Sequence, residues 1–129
     1  MRLKKNIIIG LLGMILLLAS CGQQNKAQGL VKDFLKENLN SADCSFERFG
    51  KLAQTAMIDA QRVEQLRKEM KNIPSMKQDI KYEDGVCPDT LLYIRATYKL
   101  TDHSGKEQEY TQTFYMDKEL TRIIAFKQN

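Results

Sequence analysis

The sequence predicts an α+β domain in which two N-terminal helices pack on one face of an antiparallel meander of about four strands. Three observations carry this. Apolar residues recur at helical spacing in two stretches before Pro74, the period falls to two beyond it, and the later apolar runs are separated by compact turn signals.

The first helix follows from Leu30, Val31, Phe34, Leu35 and Leu39, whose i, i+3, i+4 spacing builds one apolar stripe while Lys32, Asp33, Lys36 and Glu37 face water. It ends near Asn38 to Ser41, because Asn and Ser side chains compete for backbone hydrogen bonds and favour turns. Cys44 to Leu52 fits two readings. Phe46, Phe49 and Leu52 suit a helix, whereas Ser45, Phe46, Arg48 and Phe49 suit an irregular strand, and the extended reading is preferred. Ala56, Ala60, Val63, Leu66, Met70 and Ile73 then mark a second helix that starts within Lys51 to Asp59 and that Pro74 forbids from continuing. Its charged residues, Arg62, Glu64, Arg67, Lys68 and Glu69, read as a solvated face.

Past Pro74, Met76, Ile80 and Tyr82 alternate with Lys77, Asp79, Lys81 and Glu83, which predicts a strand with one wet face. Glu83, Asp84, Gly85, Cys87 and Pro88 form a loop. From Thr90 to Thr101, Leu92, Ile94, Ala96, Tyr98 and Leu100 share one side, with Leu91, Tyr93, Arg95, Thr97 and Lys99 opposite. Asp102, His103, Ser104 and Gly105 turn the chain into Glu107 to Met116, and Asp117 and Lys118 turn it again before Thr121 to Phe126. The uncovered sheet face then displays Tyr93, Arg95, Thr97, Lys99, Thr111, Thr113 and Tyr115. Good strand formers on a solvated face explain this set. A recognition surface explains it too, since Tyr93, Arg95 and Tyr115 offer contact area with polar tips.

The N-terminus has a separate logic. Arg2, Lys4 and Lys5 precede an apolar run from Ile7 to Leu18, and Leu18, Ala19, Ser20, Cys21 follow; this resembles a bacterial lipoprotein signal with its lipobox. The resemblance implies that residues 1–20 are removed and that Cys21 becomes the lipid-bearing first residue of the mature protein. Residues 21–28 are then a polar tether, and residues 29–129 a single α+β domain. The rival readings are a retained membrane helix and a cleaved secretory peptide without lipid. The apolar run is only about half of the ~20 residues a bilayer crossing needs. Two or more acyl chains, by contrast, anchor a domain stably.

Of 20 Lys and Arg, three leave with the signal, so 17 face 16 Asp and Glu in what remains. Charges alternate in sign without a phosphate-neutralising stripe, and nucleic acid is not an expected partner. With Cys21 lipidated in a compartment that permits disulfides, Cys44 and Cys87 are expected to pair. In the chain-entropy model, closing that loop would contribute ~4 kcal/mol.

Val31, Lys32, Asp33, Phe34, Leu35, Lys36, Glu37, Asn38, Leu39, then Phe49, Gly50, Lys51, Leu52, and finally Phe114, Tyr115, Met116, Asp117, Lys118 resemble small lipoproteins of Bacteroidetes-type bacteria. The resemblance implies a cystatin-like or NTF2-like fold and no established activity. A Gln-x-Val-x-Gly inhibitor loop is missing from the sequence. No acidic run follows Cys21, which favours an outer-membrane anchor facing the periplasm.

Chemistry is thinly represented. His103, the single histidine, falls in a turn; with Cys44 and Cys87 paired, a zinc site lacks ligands. Asp102 and Ser104 beside it are turn formers before they are triad members. Glu83 with Asp84, and Glu107 with Glu109, read as solvated carboxylates, and Gly85 and Gly105 as isolated turn glycines without a phosphate cradle. The expectation is a non-enzymatic, cofactor-free envelope module that binds a protein or polysaccharide. The alternative is a small-ligand carrier with a pocket between helix and sheet.

Overall fold

The computed structural model describes residues 21–40, 43–83 and 85–129. The signal segment 1–20, Ser41 at the expected helix end and Asp84 in the expected loop lie outside the described residues.

Residues 21–38 are helical and form α1. Its buried stripe, Ala27, Val31, Phe34 and Leu35, lies against the sheet, and Leu39 just past the helix continues it. Full burial of a large apolar side chain contributes ~1.5–3 kcal/mol. The segment 21–28, expected as a tether, already belongs to this helix. Ala27 is buried, Gln24 Nε2 donates to the Gly50 carbonyl at 2.8 Å, and Leu52 N donates to Gln24 Oε1 at 2.7 Å. A polar composition hid two tertiary hydrogen bonds and one buried methyl.

Among the described residues five antiparallel strands form the sheet: β1 (Cys44–Phe49), β2 (Ala53–Thr55), β3 (Leu91–Thr101), β4 (Glu107–Met116) and β5 (Ile123–Gln128). Their order is β1-β3-β4-β5, with β2 also pairing β3. The extended reading of β1 holds, with a bulge between Phe46 and Arg48. β2 carries no signal of its own in three residues. The hairpin register places Ile94 opposite Phe114 and Leu100 opposite Gln108, so Leu92, Ile94, Ala96, Tyr98 and Leu100 enter one core, as their alternation predicts.

The strand expected over residues 76–83 is not formed. Met76 makes one isolated bridge to Leu39, and the backbone N–H groups of Lys77 and Lys81 donate to the Asn38 carbonyl and Asn38 Oδ1. Ile80 and Tyr82 still pack on the core. Alternation here reports one buried side, not a ladder.

Helix α2 spans Ala60–Glu69. Asp59 caps it by accepting from Arg62 N at 2.8 Å, a contact worth ~1 kcal/mol. A 3-10 turn, Met70–Asn72, follows, and Ile73 turns extended as a residue before proline must. The helices do not share one face of the sheet. Val63 and Leu66 of α2 pack with Leu91, Tyr115, Ile124 and Ala125, residues that alternate out of the α1 core. A register shift places Met116 opposite Ile123 and Tyr115 opposite Ala125, which turns both Ile124 and Ala125 toward α2.

The layer between α1 and the sheet is filled by aromatic rings. Phe34 meets Phe126 edge-on at 5.5 Å, and Phe126 stacks on Phe114 at 5.4 Å.

The expected disulfide is absent: Cys44 and Cys87 are free. Cys44 opens β1 opposite Leu100 and packs on the α1 core, while Cys87 precedes Leu91 at the other end of β3 and packs on the α2 cluster. Nine strand steps between Leu91 and Leu100 span ~30 Å. A disulfide tolerates a Cα separation of up to ~7 Å.

Candidate functional site

The β3–β4 hairpin closes through Asp102. Its Oδ1 accepts from Ser104 N at 2.9 Å, Ser104 Oγ at 2.6 Å and Lys106 N at 2.9 Å, while Gly105 takes a left-handed φ of 83°. The Ser104 hydroxyl and then the Lys106 N–H hold the carboxyl below its ordinary range. His103 and Lys106 are left exposed at the tip.

A second segment is brought to the same place by Asn40, just beyond α1. Asn40 N donates to the Ser75 carbonyl at 2.9 Å, and Asn40 Nδ2 donates to the Pro74 and Met76 carbonyls at 3.0 and 2.8 Å. Between this segment and the hairpin lies a hollow of about 240 Å³, walled by Pro74, Leu100 and Tyr110 and edged by Asn40, His103 and Lys106. Ser75 Oγ is buried at its wall with no hydrogen-bond partner among the described residues. A recess of about 520 Å³ shares Pro74, Gln108 and Tyr110 and continues past Met70 and Ile73 to Lys127 and Gln128. The two hollows adjoin at the end of the sheet, with Tyr110 in the wall of both, and are taken together as the end groove.

Tyr110 is fixed from below. Its ring stacks on that of Tyr98 at 5.7 Å, and the buried Tyr98 hydroxyl donates to Gln112 Oε1 at 2.6 Å, whose Nε2 donates to Gln128 Oε1 at 2.8 Å. Burial pushes the Tyr98 phenol far up, so it remains a donor. The groove carries charge of both signs, Arg62, Lys106 and Lys127 against Glu69 and Asp102. Arg62 pairs with Glu69 at 3.5 Å and the Asp102 carboxylate faces the Lys106 charge, whereas Lys127 makes no salt bridge among the described residues.

No protein-family model, curated protein or solved structure matches this chain. The site therefore rests on its own geometry. Among the described residues, no group of three His, Cys, Asp or Glu is placed to hold a metal ion, and no helix is long and apolar enough to cross a membrane.

The sheet face expected to display Tyr93, Arg95 and Tyr115 is not one open surface. Tyr115 is 5% exposed in the cluster under α2, its ring 6.1 Å from that of the half-buried Tyr93. Thr97 and Thr113 are buried, and the C-terminal Asn129 donates from its backbone N to the Thr111 carbonyl at 3.0 Å. Arg95 is exposed; with the Asn129 amide oxygen turned to it, Arg95 Nε donates at 2.8 Å. Helix α2 and the chain end occupy the face that alternation left free. Cys21 is exposed at the other end of α1 from Asn40. Asn40, Ser75 and Tyr110 carried no sequence signal for a site, because three segments far apart in the chain build it.

Proposed function

We propose that this protein is a lipid-anchored, non-enzymatic binding module of the bacterial envelope, held at the outer membrane on its periplasmic side through Cys21, and that the end groove takes an acidic polypeptide segment of another envelope protein. The observation that carries this reading is the separation of anchor from groove. α1 runs over residues 21–38, a rise of about 27 Å at ~1.5 Å per residue, with Cys21 at one end and Asn40 of the groove just past the other. A lipid on Cys21 would leave the groove facing away from the membrane.

The chemistry of the groove supports the choice of partner. Pro74, Leu100 and Tyr110 offer apolar contact to an extended backbone, and Lys106 and Lys127 offer charge to carboxylates. The aromatic filling between α1 and the sheet favours surface binding over the carrier alternative. α1 laid along a meander supports a cystatin-like or NTF2-like reading of the fold, with α2 on the opposite face as a departure from it.

A photoreactive side chain at position 103 of the cell-anchored protein tests the proposal. The expected result is crosslinking to one protein, lost in Tyr110→Ala and weakened when Lys106 and Lys127 are both changed to Glu. A glycan adduct would move the partner to a polysaccharide, and no adduct would overturn the groove as the site. Cys21→Ala should release the protein from membranes.

A further inference from the structure

One α1 end and three loops meet at the end of the sheet opposite the groove. Lys26 Nζ donates to the Glu119 carbonyl at 3.1 Å, and Glu119 lies in the β4–β5 turn. Arg122, beyond the same turn, donates through Nη2 to the Val86 carbonyl at 2.6 Å. Gly85 leaves room for that guanidinium, since a Cβ there would lie 2.6 Å from Arg122 Cζ. From the other side, Thr55 ends β2 opposite Leu91, the first residue of β3, and Met57 N donates to Thr55 Oγ1 at 3.1 Å. Ile58 and Cys87 both pack on the cluster around Leu91. Met57 and Val86, each one residue ahead of them, therefore stand out at one end of the molecule.

They are the large hydrophobic side chains that are exposed among the described residues, Met57 by 88% and Val86 by 89%. Scattered single apolar residues on a surface are ordinary. Two in adjoining loops, at the end that also carries Cys21, are a different observation. Cys21 lies five residues beyond Lys26, or ~7.5 Å along the helix axis. The loops around them expose charge of both signs, Lys51 and Lys118 with Asp59, Asp89 and Glu119.

We propose that this end docks on the bilayer surface, with Met57 and Val86 seated at the boundary between headgroups and acyl chains. The proposal rests on the lipid-anchored reading. Two side chains are too little apolar area to hold a free protein at a membrane. A lipid on Cys21 makes the contact intramolecular, and an effective concentration in the millimolar range then lets a weak contact persist. Docking would fix the axis of α1 relative to the membrane and hold the groove at a set height instead of leaving the domain to swing.

The chain contains no tryptophan, so one introduced indole reports its own surroundings. Lipidated protein carrying Met57→Trp, Val86→Trp or, near the groove, Gln78→Trp is reconstituted into vesicles of phosphatidylethanolamine and phosphatidylglycerol, with and without brominated acyl chains. All three positions are exposed, which keeps the fold out of the comparison. Docking predicts blue-shifted emission and bromolipid quenching for Met57→Trp and Val86→Trp, with Gln78→Trp unchanged. If all three float with the vesicles yet emit alike and escape quenching, docking is overturned while the lipid anchor stands. Failure to float overturns the anchor, and docking with it.

Discussion

The guanidinium of Arg67 lies 4.3 Å over the ring of Tyr82, and Arg67 Nε donates to the Ile124 carbonyl at 2.8 Å. One residue of α2 thereby ties residues 77–83 to β5, and Tyr82 extends the link to α1 through Phe34, ring to ring at 5.7 Å. The cation–π contact is worth ~0.5–2 kcal/mol and a hydrogen bond from a charged donor ~1.5–3 kcal/mol. Arg67→Ala is expected to cost ~2–4 kcal/mol in urea unfolding. Tyr82→Phe should be close to neutral, because the Tyr82 hydroxyl is buried without a hydrogen-bond partner among the described residues. Equal losses in the two variants would mean that the hydroxyl, and not the ring, makes the link.

Acid should loosen the β4–β5 turn. Asp117 is 6% exposed; Oδ1 accepts from Thr121 N at 2.8 Å and Arg122 N at 3.1 Å, and Oδ2 accepts from Thr121 Oγ1. Burial pushes this carboxyl up, but the Thr121 and Arg122 hydrogen bonds and the Arg122 charge outweigh it and leave the group below its ordinary value. A carboxyl with a lower pKa in the folded chain stabilises fully above its unfolded value of about 3.9, and that contribution disappears as pH falls from there through the folded value. The melting temperature should therefore hold until about pH 4 to 5 and then drop. Asp117→Asn should flatten the drop and cost ~1–3 kcal/mol at neutral pH. The same turn holds Leu120 at a φ of 55° with its side chain in the core and its N–H donating to the Asp117 carbonyl at 3.1 Å, so loosening it also strains a core residue.

Side-chain periodicity was legible wherever one face of an element meets the core, as in Leu92 to Leu100, and so were the turns that Asp102 and Pro74 mark. What periodicity leaves open is the partner of each backbone N–H. Residues 76–83 alternate like a strand while Asn38 takes their hydrogen bonds. The placement of α2 depended on a register shift at Tyr115, which moves Ile124 and Ala125 together and has no signature in composition. Compartment chemistry suggested a disulfide that the length of β3 forbids. The groove stayed hidden because its parts meet only after Asn40 pins Pro74 and Ser75.

The free thiols give a prediction opposite to that of a disulfide. In a Cys21→Ser background, unfolding without reductant should expose two titratable thiols, and added reductant should leave the melting temperature unchanged. Burial pushes the Cys44 thiol up; burial also raises Cys87, against the opposing charges of Arg122 and Arg67. In the folded protein both should alkylate more slowly than a free cysteine, since the thiolate is the reactive form. A thiol count of zero before reduction would contradict the geometry.

Gln112 is the point where fold and groove depend on one side chain. It is fully buried, accepts from the Tyr98 hydroxyl and donates to Gln128, so Gln112→Leu strands a buried hydroxyl. Leaving a buried donor unpaired costs ~1–3 kcal/mol, whereas removing both partners together is close to neutral. Gln112→Leu alone should therefore destabilise, and adding Tyr98→Phe should recover part of the loss, a coupling of ~0.5–3 kcal/mol in a double-mutant cycle. The Tyr98 ring that carries Tyr110 remains in the double variant, while Gln128 is freed at the groove edge. Crosslinking from position 103 should then survive the pair of changes better than Gln112→Leu alone. If stability recovers and crosslinking does not, the groove depends on Gln128 being held in place rather than on Tyr110.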